Sequence, residues 1–161
     1  MIDDWRLKPH GFRTAVTGLT NTYRAGRRAL ELLLSEPNPG AVHEYRKEVK
    51  YIGYQLRLLE SMAPSMLMPT RVCAGALGET LGQVNDLAVM ATWLDGDPGG
   101  FGGSRQAARA RRLIDDRRSD LQRRSISVGL RFHTEEPDAL AIRIEHYWAV
   151  WREHGPEMAI R

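Results

Sequence analysis

Residues 42–59 read VHEYRKEVKYIGYQLRLL. Wound at about 100° per residue, this stretch separates into two stripes. Val42, Tyr45, Val49, Ile52, Leu56 and Leu59 recur at spacings of three and four, the signature of an apolar helix face. His43, Arg46, Lys47, Lys50, Tyr54 and Arg57 recur at the same spacings beside it. One face is built for burial, and next to it runs a row of four fixed cations with a histidine and a tyrosine. Glu44 and Glu48 fall off that row, roughly 60–140° around from His43. Such segregation suits an anion, although a solvated basic face produces the same pattern.

Outward from this helix the chain keeps its helical period. Residues 11–35 form a first helix, with Phe12, Ala15, Val16, Leu19, Tyr23, Leu30 and Leu34 on its apolar side and Arg13, Arg24, Arg27 and Arg28 elsewhere. The run SEPNPG at 35–40 is a turn by composition, so helices 11–35 and 41–62 are expected as an antiparallel pair. That pairing could carry Arg24, Arg27 and Arg28 toward the His43–Arg57 row.

A third helix is expected over 69–94, opened by Pro69, with Val72, Ala76, Leu77, Leu81, Val84, Leu87, Ala88 and Ala91 as core candidates. Gly75, Gly78 and Gly82 cost helix propensity, which points to close helix–helix approach. Asp86 is expected at the surface or orienting a cation or His43 of the central helix.

The glycine-rich 95–103 is a loop; no strand precedes it and no GK[ST] follows, which excludes a P-loop. A fourth helix, 104–130, carries Ala108, Leu113, Ile114, Leu121, Ile126 and Leu130 on one side, and a fifth, 138–154, holds Ile142, Ile144, Tyr147, Trp148, Val150 and Trp151. Residues 1–10 are a lead-in. The expected fold is all-α, an antiparallel bundle of about five helices within a single domain over 1–161.

Composition bounds the function. With 42% hydrophobic and 27% charged residues, the chain has the balance of a globular protein. No apolar run approaches the ~20 residues of a membrane span, and the N-terminus MIDDWRLKPH lacks a signal-peptide core, so a cytoplasmic protein without membrane contact is expected. One cysteine, Cys73, allows no internal disulfide or metal cluster and sits among small apolar neighbours, as a buried residue would. The net charge of +3 is unevenly spread: eight arginines against three aspartates in 104–124, three arginines against six acids in 133–161. Arginine's planar fork suits phosphate or carboxylate.

Three segments together, YRAGRRA at 23–29, HEYRKEVKYIGYQLRLL at 43–59 and LGETLGQVNDLAVM at 77–90, resemble the CHAD family, the conserved-histidine α-helical domains. The C-terminal RFHTEEPDALAIRIEHYWAVW at 131–151 also looks like the end of such domains, so the resemblance is drawn over nearly the whole chain and assigned mainly to the family's C-terminal half. It implies half of a two-bundle architecture around a basic channel, with inorganic polyphosphate as ligand. His43, Arg46, Lys47, Lys50, Tyr54 and Arg57, with Arg24, Arg27 and Arg28, would be its binding residues. His10 and Arg13 do not rebuild the family's earlier histidine–arginine helix. The channel is then an open groove, is completed by a second copy in a homodimer, or is degenerate. A CYTH-type or other polyphosphate-metabolising partner is also implied.

The expected function is therefore non-catalytic polyanion binding, with no metal and no cofactor. Alternatives are a nucleic-acid-binding helix over 105–124, a protein-interaction module, and a phosphohydrolase using Glu44 and Glu48. The last is weakened because those acids more simply balance Lys47 and Arg46. Among the remaining histidines, His133 and His146 are expected at the surface or as caps. Tyr147, Trp148 and Trp151 are expected in the core.

Overall fold

The computed structural model describes residues 9–97 and 99–156; most of the expected lead-in, residues 1–8, lies outside them. Five helices follow one another: α1 (Pro9–Ser35), α2 (Pro39–Leu59), α3 (Pro64–Gly96), α4 (Ser104–Phe132) and α5 (Pro137–His154). The described residues contain no strand.

Local chemistry sets the ends. The Asn38 side chain accepts from the Ala41 N–H at 3.0 Å and Pro39 opens α2, a capped start with proline in the first turn. After α2 a short 3₁₀ turn, Glu60–Met62, leads to Ala63 and Pro64. Pro64, not Pro69, therefore opens α3, five residues before the expected start. Pro69 is carried inside the helix, where its ring removes one intrahelical donor. Before α4 the chain turns through Gly102 and Gly103 at φ 83° and 97°, conformations that glycine adopts without penalty.

Helices α1 to α4 form an antiparallel meander: α2 packs between α1 and α3, α4 packs on α3 and returns to touch α1, and α5 lies along α1. The apolar face of α2 is the spine. Val42, Tyr45, Val49, Ile52, Leu56 and Leu59 are all buried. The core divides into two lobes along it. One gathers Phe12, Val16, Leu19, Tyr23, Ile52, Leu56, Leu67, Leu140 and Ile144. The other gathers Leu30, Leu33, Val42, Tyr45, Val49, Leu77, Leu81, Val84 and Leu121, and Phe132 packs against both. Tyr147, Trp148 and Trp151 pack on the first lobe, as their reading as core required. The Phe12 and Trp148 rings stack at 4.4 Å and 9°.

Several expected core positions are exposed: Leu34, where Leu33 is buried instead, Val72 and Ala76 on α3, Ala108, Leu113 and Leu130 on α4, and Ile142 and Val150 on α5. Helix α3 is apolar nearly all round, so its periodicity cannot select a face. Cys73 is half-buried, and burial pushes its thiol up. Asp86 is exposed, whereas His133, expected at the surface or as a cap, is 5% exposed. Its backbone does cap α4, the N–H donating to Gly129 O at 3.0 Å, while its ring turns into the core.

Candidate polyanion groove between α2 and α3

Where α2 and α3 lie side by side, a groove of about 370 Å³ opens, lined by Arg46, Lys50, Tyr54 and Arg57 from α2 and by Arg71, Ala74, Gly75, Gly78 and Glu79 from α3. On α2 the cations fall at steps of four and seven, which holds them on one side of the helix. The facing side of α3 presents Arg71, Gly75, Gly78 and Gly82 at steps of four, three and four. These glycines have a specific use. A Cβ at Gly78 would stand 3.3 Å from Lys50 Cγ, and one at Gly82 would stand 3.2 Å from Arg46 Nε. At Gly53 of α2, a Cβ would make only ordinary contact with α3, 3.5 Å from Ala74 Cβ. So Gly78 seats the Lys50 stem and Gly82 the Arg46 guanidinium, and above Gly75 the space is open.

Electrostatics sort the cations. Arg46 Nε is buried with no hydrogen-bond partner among the described residues. Lys50 Nζ sits 6.0 Å from the centroid of the Tyr54 ring, at the edge of cation–π range. Arg71 is held by the Glu60 carboxylate, which bonds its Nε. Glu79 places one carboxylate on the rim. Replacing Gly82 with Leu would push the Arg46 guanidinium off α3; the expected result is at least ~10-fold weaker polyanion binding with little loss of Tm, read by titration and thermal melting. Ten-fold corresponds to about 1.4 kcal/mol, the order of one charge-assisted hydrogen bond.

Other expected site residues lie elsewhere. Lys47 is engaged by Glu44 and, at 3.6 Å, by Glu48, so the two acids balance Lys47, one member of the row they flank, and among the described residues neither pairs with Arg46. The Lys47 hydrogen bond holds the Glu44 carboxyl below the usual range. His43 and Arg28 are exposed and do not line the groove. Arg24 and Arg27 do not join the row. Arg24 pairs with Asp138 at 2.9 Å and Arg27 with Glu136 at 2.6 Å. The acidic turn before α5 takes up the charge that α1 was expected to bring to α2. The spacing on α2 does not reveal Arg71, which stands on the α3 wall of the groove. Its signal was the shared spacing with the three glycines, which marks one face of α3.

Among the described residues no group of three or more His, Cys, Asp or Glu side chains could hold a metal ion. No helix among them is long and apolar enough to cross a membrane.

A helical bundle with a basic, glycine-floored groove is one class of protein; the family follows from comparison. The chain matches the family model of the CHAD domain over residues 2–95, and it belongs to that family. The match falls on the N-terminal part of the chain, taking in α1, α2 and nearly all of α3, and so the whole groove. This corrects the assignment to the C-terminal half and the wider extent of the resemblance: α4 and α5 lie beyond the match. No curated protein and no solved structure matches the chain.

Proposed function

We propose that the α2–α3 groove binds inorganic polyphosphate or a similar linear polyanion, without catalysis. The observation that carries this reading is the convergence of Arg46, Lys50, Arg57 and Arg71 on a single open groove whose glycine floor seats two of them. Membership of the CHAD family is compatible with it. Arginine and lysine at this spacing meet successive phosphates of a chain, and charge-assisted bonds to phosphate oxygens strengthen in a partly dry groove. A second copy of the chain would complete the groove from its open side, and a polyphosphate-metabolising enzyme is the kind of partner such a module would serve.

The arginines of α4 make a weaker case for nucleic acid. Arg111 is held by Asp95 and Asp115, Arg118 by Asp115, and Arg117, Arg123 and Arg124 by Asp120. Five of the eight arginines in 104–124 are therefore tied to neighbouring acids, while the net charge of that segment stays positive.

Titration with long-chain polyphosphate at several salt concentrations, with duplex DNA at equal charge as competitor, tests the proposal. Four groove cations releasing counterions give a log–log salt slope of about −3, taking the single-strand coefficient, and DNA fails to displace the ligand. A slope near zero, or displacement by DNA at matched charge, would contradict it.

A further inference from the structure

His133 lies where α1, α2 and the end of α4 meet, between the two lobes of the core. Its imidazole stands 4.7 Å from the Tyr23 ring and 5.8 Å from the Tyr45 ring, with Phe132 edge-on at 5.0 Å. Gly26 makes room for it, since a Cβ there would fall 2.9 Å from His133 Cε1. Neither ring nitrogen has a hydrogen-bond partner among the described residues. A neutral imidazole in such a place leaves polar atoms unpaired, and a charged one would be a buried unpaired ion, which costs far more.

The ionisable groups around it offer no relief. From α1 come Tyr23, whose hydroxyl donates to Phe132 O at 3.0 Å and is pushed up to about 12, and the Arg27 guanidinium. From α2 comes Tyr45, raised by burial. The turn itself carries Glu135 and Glu136, but Arg143 of α5 grips Glu135 at 2.7 Å and Arg27 grips Glu136. Both carboxylates are spoken for, and the cation facing His133 is Arg27. Burial first, then Arg27, brings the imidazole down to about 4.

The same turn is α5's attachment. Helix α5 packs against α1 and the 3₁₀ turn, its apolar side on Phe12, Val16 and Leu19, and its start is tied by the Arg24–Asp138 and Arg27–Glu136 pairs. We propose that His133 is an acid-sensitive latch: charging its ring drives the 133–136 turn off α1 and frees α5 while the α2–α3 pair stays folded. The sign follows from linkage. The unfolded imidazole binds its proton near 6.5 and the folded one only near 4, so the folded state holds fewer protons between those values. Stability of the docked form falls as pH drops through that window. The Arg27 hydrogen bond holds Glu136 below the usual carboxylate range, so that ion pair outlasts the opening of the window and does not set its onset.

The test is an acid titration of the full chain from pH 8 to 3.5. Near-UV circular dichroism reports the Phe12–Trp148 stack, NMR follows the five histidines, and hydrogen exchange follows each helix. The expected result is loss of the near-UV signal between pH 6.5 and 4, with α5 amides losing protection before those of α2 and α3. In His133→Gln that step moves at least one pH unit lower. An unchanged midpoint in His133→Gln, or α2–α3 opening together with α5, overturns the latch. If the variant does not fold, the wild-type NMR decides: a His133 resonance titrating near 6.5 with α5 still protected also overturns it.

Discussion

Arg46→Glu combined with Lys50→Glu is expected to weaken polyphosphate binding at low salt by at least ~100-fold. Each substitution removes one charge-assisted contact of about 1.5–3 kcal/mol and adds a like charge to the ligand's path, and 1.4 kcal/mol is ten-fold. Both side chains lie over glycines of α3, the Lys50 stem on Gly78 and the Arg46 guanidinium on Gly82, so the effect falls on the ligand with little change to the core. The control is Arg123→Glu with Arg124→Glu, the same change of net charge on α4, where both side chains are exposed and share Asp120. That pair should cost only a few-fold. Equal losses in the two double variants would show that overall charge, not the groove, governs binding.

The second large effect concerns stability. Gly129 faces Tyr45 across the α2–α4 contact, and a Cβ there would clash with the Tyr45 hydroxyl oxygen and stand 3.2 Å from Cζ. Tyr45 is fully buried and has no slack to retreat, so Gly129→Ala should destabilise the fold by about 2–3 kcal/mol, at the upper end of overpacking costs. The hydroxyl is itself unpartnered among the described residues. Tyr45→Phe removes a buried polar atom together with the closest clash. Alone it should be neutral or stabilising by up to about 1 kcal/mol, and in the Gly129→Ala background it should restore a substantial part of the loss. Denaturant unfolding of the four proteins gives the coupling directly. Purely additive effects would mean that Gly129 is needed for some reason other than the Tyr45 ring.

The spine of the fold was legible because α2 is strictly two-sided. Every apolar position predicted for it between Val42 and Leu59 is buried, and SEPNPG with its asparagine cap marks the start. Where a helix is apolar all round, as α3 is, the same method placed Val72 and Ala76 in the core although both are exposed. The basic row was legible as a row, yet its membership in a site was not. Spacing along one helix says which side chains share a face, but not which acids of other helices reach them. Glu136 and Asp138 stand more than a hundred residues from the arginines they hold.

His133 shows the same division. Its neighbours in sequence, Arg131, Thr134 and Glu135, read as a polar turn, and only the meeting of α1, α2 and α4 buries the ring.

By itself the sequence determined the all-α class, the α2 seam, the helix order and a concentration of cations on one helix, because periodicity and capping are local properties of the chain. The tertiary structure alone decided which cations remain available. It drew Arg24 and Arg27 into ion pairs with the α5 turn and brought Arg71 and the glycine face of α3 opposite Arg46, Lys50 and Arg57. Charge neutralisation and groove shape depend on distances between residues far apart in the chain, and those exist only once the helices pack.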